Sequence, residues 1–182
     1  WTPVIYQFNK NTAIVYAQSF VNSPIDQTVL CNIGCSGTIK AWINDELVIS
    51  DSKSRNTELD NYSVRYHLKK GVNRVLIQLG FTDLSYPKFS LRFTDENYRP
   101  IANITGSSVY APYPKKIDSH TKYELIPQCA EKYFKDKTER QPGNPVNYLL
   151  LADCYLRGGR LLEARDVISK GLAQSPQNSV LR

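Results

Sequence analysis

The sequence predicts two domains of different fold class, an all-β jelly-roll sandwich followed by a small all-α domain. Residues 1–110 carry short runs in which apolar and polar residues alternate, which is typical of half-buried strands. Residues 120–182 contain an internal period of helical character. Residues 111–119 show neither pattern and are interrupted by prolines, so we expect them to form a linker.

The strand pattern is clearest at residues 39–43, Ile-Lys-Ala-Trp-Ile, and at residues 62–68, Tyr-Ser-Val-Arg-Tyr-His-Leu. Residues 50–61 are polar and lack alternation, which predicts a long loop. Further strands are expected at 13–20, 27–31, 74–79 and 88–94, with turn-forming clusters at 22–24, 44–45, 70–71 and 95–97. About seven short strands at this spacing predict a sandwich or jelly roll.

The helical domain has an internal sequence repeat with a period of 34 residues. Corresponding residues recur in the pairs Ala130 and Ala164, Phe134 and Ile168, Pro142 and Pro176, and Asn144 and Asn178. A period of this length is typical of helix-turn-helix arrays, in which one unit is too small to bury its own apolar face. The expected helix pair starts at Pro145, is broken at Gly158-Gly159, resumes with Leu161 and is stopped by Pro176. This end of the chain is therefore predicted to contact other protein.

The helix pair resembles the tetratricopeptide repeat. That family places a large aromatic residue, a leucine, a small residue, a tyrosine, an alanine, a large apolar residue and a proline at fixed positions, and this chain fills them in order with Tyr148, Leu151, Ala152, Tyr155, Ala164, Ile168 and Pro176. Leu161 and Leu172 are expected to extend the apolar stripe of the second helix. Residues 127–140 match only the second helix of a preceding repeat, so we expect a cap helix there.

Three segments of the first domain resemble the galactose-binding-like jelly roll of carbohydrate-binding modules and family 2 glycoside hydrolases. They are residues 40–48, Lys-Ala-Trp-Ile-Asn-Asp-Glu-Leu-Val, residues 68–78, which begin Leu-Lys-Lys-Gly-Val-Asn, and residues 89–95, Phe-Ser-Leu-Arg-Phe-Thr-Asp. The resemblance implies a sandwich fold. Asn44-Asp45 suits the centre of a tight hairpin, so these segments describe how the sheet turns.

A sugar site would need an exposed ring with convergent polar groups, because the C–H face of a pyranose stacks on rings while its hydroxyls need hydrogen-bond partners. Trp42 is the best candidate, since Lys40 and Asn44 are expected to place it on the polar side of its strand. The other candidate carbohydrate-binding residues are Arg55, Asn56, Asp60 and Tyr62. The alternative stays open that Trp42 covers the flank of the sandwich or packs under the 50–61 loop.

The resemblance also implies a structural calcium ion, for which Asp51, Asp60, Asp95 and Asn97 could supply oxygen ligands. Their spacing forms no recognisable ligand loop, so no cofactor and no metal site is assigned. The four cysteines, Cys31, Cys35, Cys129 and Cys154, fit no zinc pattern. We expect buried free thiols, and the even count leaves disulfides open.

Composition excludes several function classes. The chain has 23 Lys and Arg against 17 Asp and Glu, and its net charge of +6 is scattered rather than gathered into a stripe, so nucleic-acid binding is not expected. No run approaches the length of a membrane span. The only histidines are His67 and His120, and no carboxylate pair, phosphate loop or dinucleotide fingerprint is recognisable. We therefore predict that the chain is not an enzyme.

Two function hypotheses follow. The first is a non-catalytic adaptor, in which the helical repeat docks a partner protein or neighbouring domains of the same chain. Because the first helix of such a repeat lines its concave groove, the candidate groove residues are Val146, Leu149, Leu150, Asp153 and Arg157. The second is a carbohydrate-binding accessory module of a larger hydrolase.

A sandwich followed by tetratricopeptide repeats resembles the architecture of exported bacterial proteins, some of which carry a transglutaminase-like domain. This implies a periplasmic or extracellular location. The sequence stops four residues into a further repeat period and contains no methionine, so we expect the chain to be part of a longer protein.

Overall fold

A computed structural model describes residues 2–3, 12–55, 58–82, 88–115, 123 and 125–181, with only the backbone described for residues 2, 3 and 55. The chain forms two compact units, Trp1–Ile126 and Pro127–Arg182. The first is built from antiparallel strands and the second from helices, which confirms the predicted fold class.

The described residues of the first unit form nine strands in two sheets. The strands are β1 Thr2–Pro3, β2 Thr12–Ser23, β3 Gln27–Cys35, β4 Gly37–Ile43, β5 Glu46–Arg55, β6 Tyr62–Leu68, β7 Gly71–Thr82, β8 Lys88–Thr94 and β9 Thr105–Ser107. One sheet has the order β1-β8-β3-β6 and the other the order β5-β4-β7-β2-β9, with all neighbours antiparallel. Strands that are distant in sequence therefore pair within each sheet.

On most strands the core of the sandwich is formed by every second residue, whereas on β3 every residue from 29 to 35 is buried. On β4 the side chains of Ile39, Ala41 and Ile43 are buried, whereas Lys40 is exposed. The inward residues of the other strands complete one apolar cluster, including Val29, Cys31 and Ile33 of β3, Val64, Tyr66 and Leu68 of β6, and Val75, Ile77 and Leu79 of β7. The alternation seen in the sequence is thus the consequence of one buried face per sheet.

The turn between β4 and β5 has the geometry that the sequence predicts. Asn44 and Asp45 both have positive φ, at 52° and 68°, as a two-residue hairpin of this kind requires. The buried amide of Asn44 donates to the side-chain oxygen of Asn73 at 2.8 Å. Asn44 therefore belongs to a buried polar contact and not to the exposed face of β4, which corrects one of the two reasons for placing Trp42 outward.

The predicted loop 50–61 is wrong over its first half. Residues 50–55 continue β5, which pairs with β4 through Lys40 and Ser50 and through Ile39 and Asp51. The run has no alternating apolar residues because β5 is the edge of its sheet, where one neighbouring backbone is enough to hold a strand and polar side chains keep other chains away.

The chain after β8 also lies against the sandwich. Strand β9 pairs with β2, and the rings of Tyr110 and Tyr113 contact Phe20, with centroid distances of 5.5 and 6.2 Å. Residues 111–115 of the predicted linker therefore belong to the first unit, whereas residues 116–119 lie outside the described residues. Farther on, the backbone N–H of Ile126 donates to the carbonyl of Ser63 at 2.8 Å.

The second unit contains three helices, α1 Cys129–Arg140, α2 Pro145–Arg157 and α3 Leu161–Gln174. The side chain of Asn144 caps α2 by accepting from the N–H of Val146, and Pro145 occupies the first helical position. The predicted cap helix is thus present, starting two residues later than expected. None of the described helices combines the length and apolarity needed to cross a membrane.

Two glycines of the sandwich allow a direct test of this architecture. Gly37 has φ +81°, and a Cβ at this position would lie 2.2 Å from the carbonyl oxygen of Gly80 on β7. Gly71 has φ +90°, but a Cβ there would have no neighbour within 4 Å. The two positions therefore share backbone strain and differ in crowding.

We expect Gly71→Ala to lower the free energy of unfolding of the sandwich by about 1–2 kcal/mol, which is the cost of a left-handed backbone for a residue with a Cβ. Gly37→Ala should lower it by about 3 kcal/mol or more, because overpacking is added to the same strain. Denaturant unfolding followed by tryptophan fluorescence measures both, since the two tryptophans belong to the first unit. Equal losses for the two variants would contradict the close approach of β4 and β7.

Candidate functional site

An apolar groove lies between α2 and α3 in the second unit. It has a volume of about 590 Å³. We call it the α2–α3 groove, and its lining consists of Leu149, Leu150, Ala152, Asp153 and Leu156 from α2 and Leu161, Ala164, Arg165, Ile168 and Ser169 from α3. Leu156 is 53% exposed and Leu161 is 69% exposed, so large apolar side chains meet solvent here.

The groove exists because α2 is apolar on two faces. One face buries Tyr148, Leu151 and Tyr155 within the unit, as the repeat pattern predicts. The other face carries Leu149, Leu150 and Leu156. At the floor, the small side chains of Ala152 and Ala164 let α2 and α3 approach closely, while the leucines form the walls.

Three of the five predicted groove residues line the α2–α3 groove, namely Leu149, Leu150 and Asp153. Val146 is exposed in the first turn of α2 and lies outside the lining. Arg157 also lies outside it, but its guanidinium donates to the carboxylate of Asp153 at 2.7 Å. The contribution of α3 to the groove was not predicted, because the sequence argument considered only the first helix of the repeat.

The α3 stripe needs one correction. Leu161 was expected to be part of the buried face of α3, yet it is largely exposed. Val167 is buried instead, with only 9% of its surface exposed. Leu161 is the first residue of its helix and follows the Gly158-Gly159 break, so it lies where α2 has already ended and little of it is covered. Its side chain lines the groove instead.

A polar network centred on Arg160 joins the start of α3 to α1 and α2. The Arg160 guanidinium donates to both carboxylate oxygens of Glu131, at 3.0 and 2.9 Å, and to Glu163 at 2.9 Å. The same guanidinium lies over the ring of Tyr155, with its central carbon 4.4 Å from the centroid. The hydrogen bond from Arg160 lowers the pKa of Glu163. None of these four residues lines the α2–α3 groove.

A smaller and more polar pocket of about 300 Å³ lies across all three helices. Tyr148, Leu151 and Tyr155 lie at its base, and Lys135, Glu139 and Lys170 line it together with other polar residues. Charges of both signs surround it, so it does not select one ligand charge.

The outward face of β2, β4 and β7 carries the second candidate surface, which we call the outer sheet face. Trp42 points outward and is partly exposed, next to Leu76 on β7 and Leu47 on β5. One row along, Lys40 lies beside Gln78, and the Gln78 amide donates to the hydroxyl of Tyr16 on β2. The face therefore combines two surface rings with amide and ammonium donors.

The other predicted sugar-binding residues do not join Trp42. Tyr62 is 3% exposed in the sandwich core, and its hydroxyl donates to Asp51 at 2.9 Å. The carboxylate of Asp60 is buried against the Arg92 guanidinium. The expectation that Tyr62 and Asp60 are surface residues is therefore wrong. Tyr62 lies at an inward-facing position of its strand, and Asp60 is buried in an ion pair. Asn56 and the side chain of Arg55 lie outside the described residues.

The predicted calcium ligands are held by protein donors. Asp51 accepts the backbone N–H of Lys53 at 2.9 Å, and Asp95 accepts those of Asn97 and Arg99 at 2.8 Å. Among the described residues, no group of three or more His, Cys, Asp or Glu side chains is placed to hold a metal ion. His67 lies on the outer side of β6 with its Nδ1 3.3 Å from the Thr28 hydroxyl.

One buried polar cluster was not predicted. Glu46, the first residue of β5, is 3% exposed inside the sandwich and interacts with the hydroxyls of Tyr66 and Tyr123. Burial raises the pKa of Tyr66 to about 12, and burial together with Glu46 raises the pKa of Tyr123. The contact holds residue 123 to the sandwich and leaves these tyrosines protonated donors.

Comparison with protein families finds a match for the second unit. Residues 127–182 match the tetratricopeptide repeat, which agrees with the resemblance of the helix pair. A comparison with curated proteins finds no match.

The similar solved structures have low sequence identity and low structural similarity to this chain. A beta-glucosidase from Kluyveromyces marxianus in complex with glucose is 19% identical with a TM-score of 0.37, over 45% of this chain and 10% of its own. A GH31 alpha-xylosidase from Xanthomonas citri is 16% identical with a TM-score of 0.36, over 43% and 9%. A family 35 carbohydrate binding module from an environmental isolate is 16% identical with a TM-score of 0.35, over 56% and 75%. The chain thus spans about a tenth of the two enzymes, and these scores support no assignment of a ligand.

The cysteines are all free thiols in distinct environments. Cys31 and Cys35 are buried in the sandwich core, as predicted for free thiols, and burial raises the pKa of Cys31 to about 12. Cys154 is half-buried, and burial followed by the charges of Asp153 and Glu131 raises its pKa. Cys129 is exposed at the start of α1, contrary to the expectation of burial.

Alkylation of the native protein at neutral pH is therefore expected to modify Cys129 first and Cys154 much more slowly, because only the thiolate reacts. Cys31 and Cys35 should react only after unfolding. Mass spectrometry of peptides after timed iodoacetamide treatment measures the order. Four alkylated cysteines after denaturation without reductant are expected, and a Cys31–Cys35 pair that needs reduction would contradict the free-thiol assignment.

Proposed function

We propose that the chain is a non-catalytic adaptor that binds protein through the α2–α3 groove. The observation that carries this proposal is the set of large apolar side chains that line the groove and face solvent, with Leu149, Leu150 and Leu156 on one wall. Apolar patches of this kind on a small unit are typical of protein-interaction sites. The match of residues 127–182 to the tetratricopeptide repeat supports the same function class.

The internal repeat indicates what shape fits the groove. Helix α3 corresponds to α1 through the shared positions Ala164 and Ala130 and Ile168 and Phe134. In the structure α2 packs against α1. The equivalent position beside α3 is the α2–α3 groove, so an amphipathic helix with the pattern of α2 is the expected occupant.

The absence of catalysis is part of the proposal. It is supported by the structural contacts of the polar groups that could otherwise perform chemistry. Arg92 pairs with Asp60, Arg74 with Asp45, and Arg160 with Glu131. These carboxylates are used to hold turns and helix junctions, which is a different task from positioning a proton beside a substrate.

The test uses a synthetic peptide of residues 145–157 with Cys154→Ser as the probe, labelled for fluorescence anisotropy. We expect the 182-residue protein to bind it with a micromolar dissociation constant, as is typical of a small interface. Leu156→Asp should weaken binding at least about tenfold, because a charge would be buried among leucines. Leu162→Asp is the matched control, since Leu162 is exposed on the same helix pair but outside the groove lining.

A peptide with the same composition in scrambled order serves as the second control. If the peptide of residues 145–157 binds no better than the scrambled one, or if Leu156→Asp and Leu162→Asp act alike, the groove is not the binding site.

The outer sheet face supports a second candidate function, a carbohydrate-binding accessory role with the predicted periplasmic or extracellular location. The observation that favours it is the position of Trp42 beside Lys40, Gln78 and Tyr16. From strand spacing, Trp42 and Tyr16 lie about 12 Å apart, being two strands and two residues removed. Two rings at that spacing with hydrogen-bonding groups between them suit the stacking of a linear glycan.

Affinity electrophoresis in gels containing soluble β-glucan or galactomannan tests this candidate. We expect retardation of the wild-type protein and a roughly tenfold loss of affinity for Trp42→Ala, because the stacking ring is removed. Tyr133→Ala is the matched control, since Tyr133 is a surface ring on α1. Unretarded migration in both gels, or equal effects of the two substitutions, would count against a sugar site on this face.

A further inference from the structure

The rim of the α2–α3 groove carries one negative and one positive side chain on opposite walls. Asp153 lies about one turn before the end of α2, and Arg165 lies about one turn after the start of α3. Because α2 and α3 are joined by a short turn and run in opposite directions, the two side chains are at the same height along the groove. The described lining contains no other charged residue.

This arrangement is self-complementary. In a symmetric dimer each residue pair occurs twice, because the same patch of both copies forms the interface. A two-fold axis that runs along the groove places α2 of one copy over α3 of the other at an unchanged height. Asp153 of one copy then faces Arg165 of the other, and the reciprocal pair forms on the other side of the axis.

The apolar residues fit the same symmetry. Leu149, Leu150 and Leu156 are the wall of one groove and at the same time the protruding side chains that a second groove would receive. The repeat equivalence described above already indicates that the groove takes a helix with the pattern of α2. In a second copy the patterned face of α2 is buried in its own unit, so what that copy presents is the opposite face of α2, with Leu149, Leu150 and Leu156, together with the matching charges.

We propose that the occupant of the α2–α3 groove is a second copy of this chain, bound through a two-fold interface with reciprocal Asp153–Arg165 pairs. This proposal rests on the proposed function and names its partner. The interface consists of two helices of 13 and 14 residues from each copy, so it is small and the dimer is weak. Within one copy Asp153 pairs with Arg157 at 2.7 Å, and dimerisation exchanges this exposed contact for the one with Arg165.

The experiment is sedimentation equilibrium of the complete 182-residue chain from low micromolar to near-millimolar concentration. Wild type is expected to dimerise with a micromolar dissociation constant. Asp153→Arg and Arg165→Asp should each weaken dimerisation at least about tenfold, because each places like charges opposite one another twice. Asp136→Arg is the matched control, since it reverses one partner of a comparable pair, Asp136 with Arg140 on α1.

Mixing the two single variants provides the decisive measurement. In a mixed dimer, the arginine introduced at position 153 of the first variant would face the aspartate introduced at position 165 of the second. On the other side of the axis, the unchanged Arg165 of the first would face the unchanged Asp153 of the second. The mixture is therefore expected to recover the wild-type dissociation constant, while each variant alone keeps its weakened one. Far-UV circular dichroism confirms that the helices of each variant are retained, so that monomers are not the result of unfolding.

Three outcomes would overturn the proposal. A wild-type chain that stays monomeric but binds the peptide of residues 145–157 would leave the protein-binding function standing with a helix of another protein as the occupant. A chain that stays monomeric and does not bind the peptide of residues 145–157 would overturn both proposals. A dimer whose stability does not recover on mixing would show that the copies meet through a different face.

Discussion

Helix α2 has more apolar surface than its own unit buries, and the proposed function depends on this excess. Tyr148, Leu151 and Tyr155 are covered by neighbouring helices, but the leucines on the opposite face remain 37% to 53% exposed. A helix that is apolar on nearly all sides is normally buried on all sides. Covering these leucines with a further helix, as proposed for the groove beside α3, would remove apolar surface from water and lower the free energy.

The sandwich buries its apolar strand faces within its own unit. Its two sheets each bury one face against the other, and the exposed face of β4 alternates with the buried one along the strand. Where polar groups enter the interior, they meet partners, as Asn44 does with Asn73 and Glu46 does with the two tyrosine hydroxyls. Trp42 and Tyr16 lie on the other face of their sheet, outside this core.

The sequence predicted those elements whose side chains alternate between a buried and an exposed environment, namely β4, β6 and the buried face of α2. It missed the second half of β5, since an edge strand is held by backbone bonds that leave no apolar pattern in residues 50–55. It misplaced Leu161 because periodicity does not tell whether the next helix extends far enough to cover a side chain. The α3 wall with Arg165 was missed because it depends on the angle between two helices. The contact of Arg160 with Glu131, which ties the start of α3 to α1, was missed as well, because the two residues are distant in sequence and belong to no pattern.

Tyr62 shows the reverse case. Its inward direction was contained in the alternation of β6, and the buried hydroxyl bonded to Asp51 follows from it. An aromatic residue can be a surface ring only if it lies at one of the outward-facing positions of its strand. Trp42 lies at such a position and Tyr62 does not. Parity decides which rings a ligand can reach, and residue type only decides what those rings could bind. The same order applies to the helices, where position relative to the next helix decides which leucines can receive a partner.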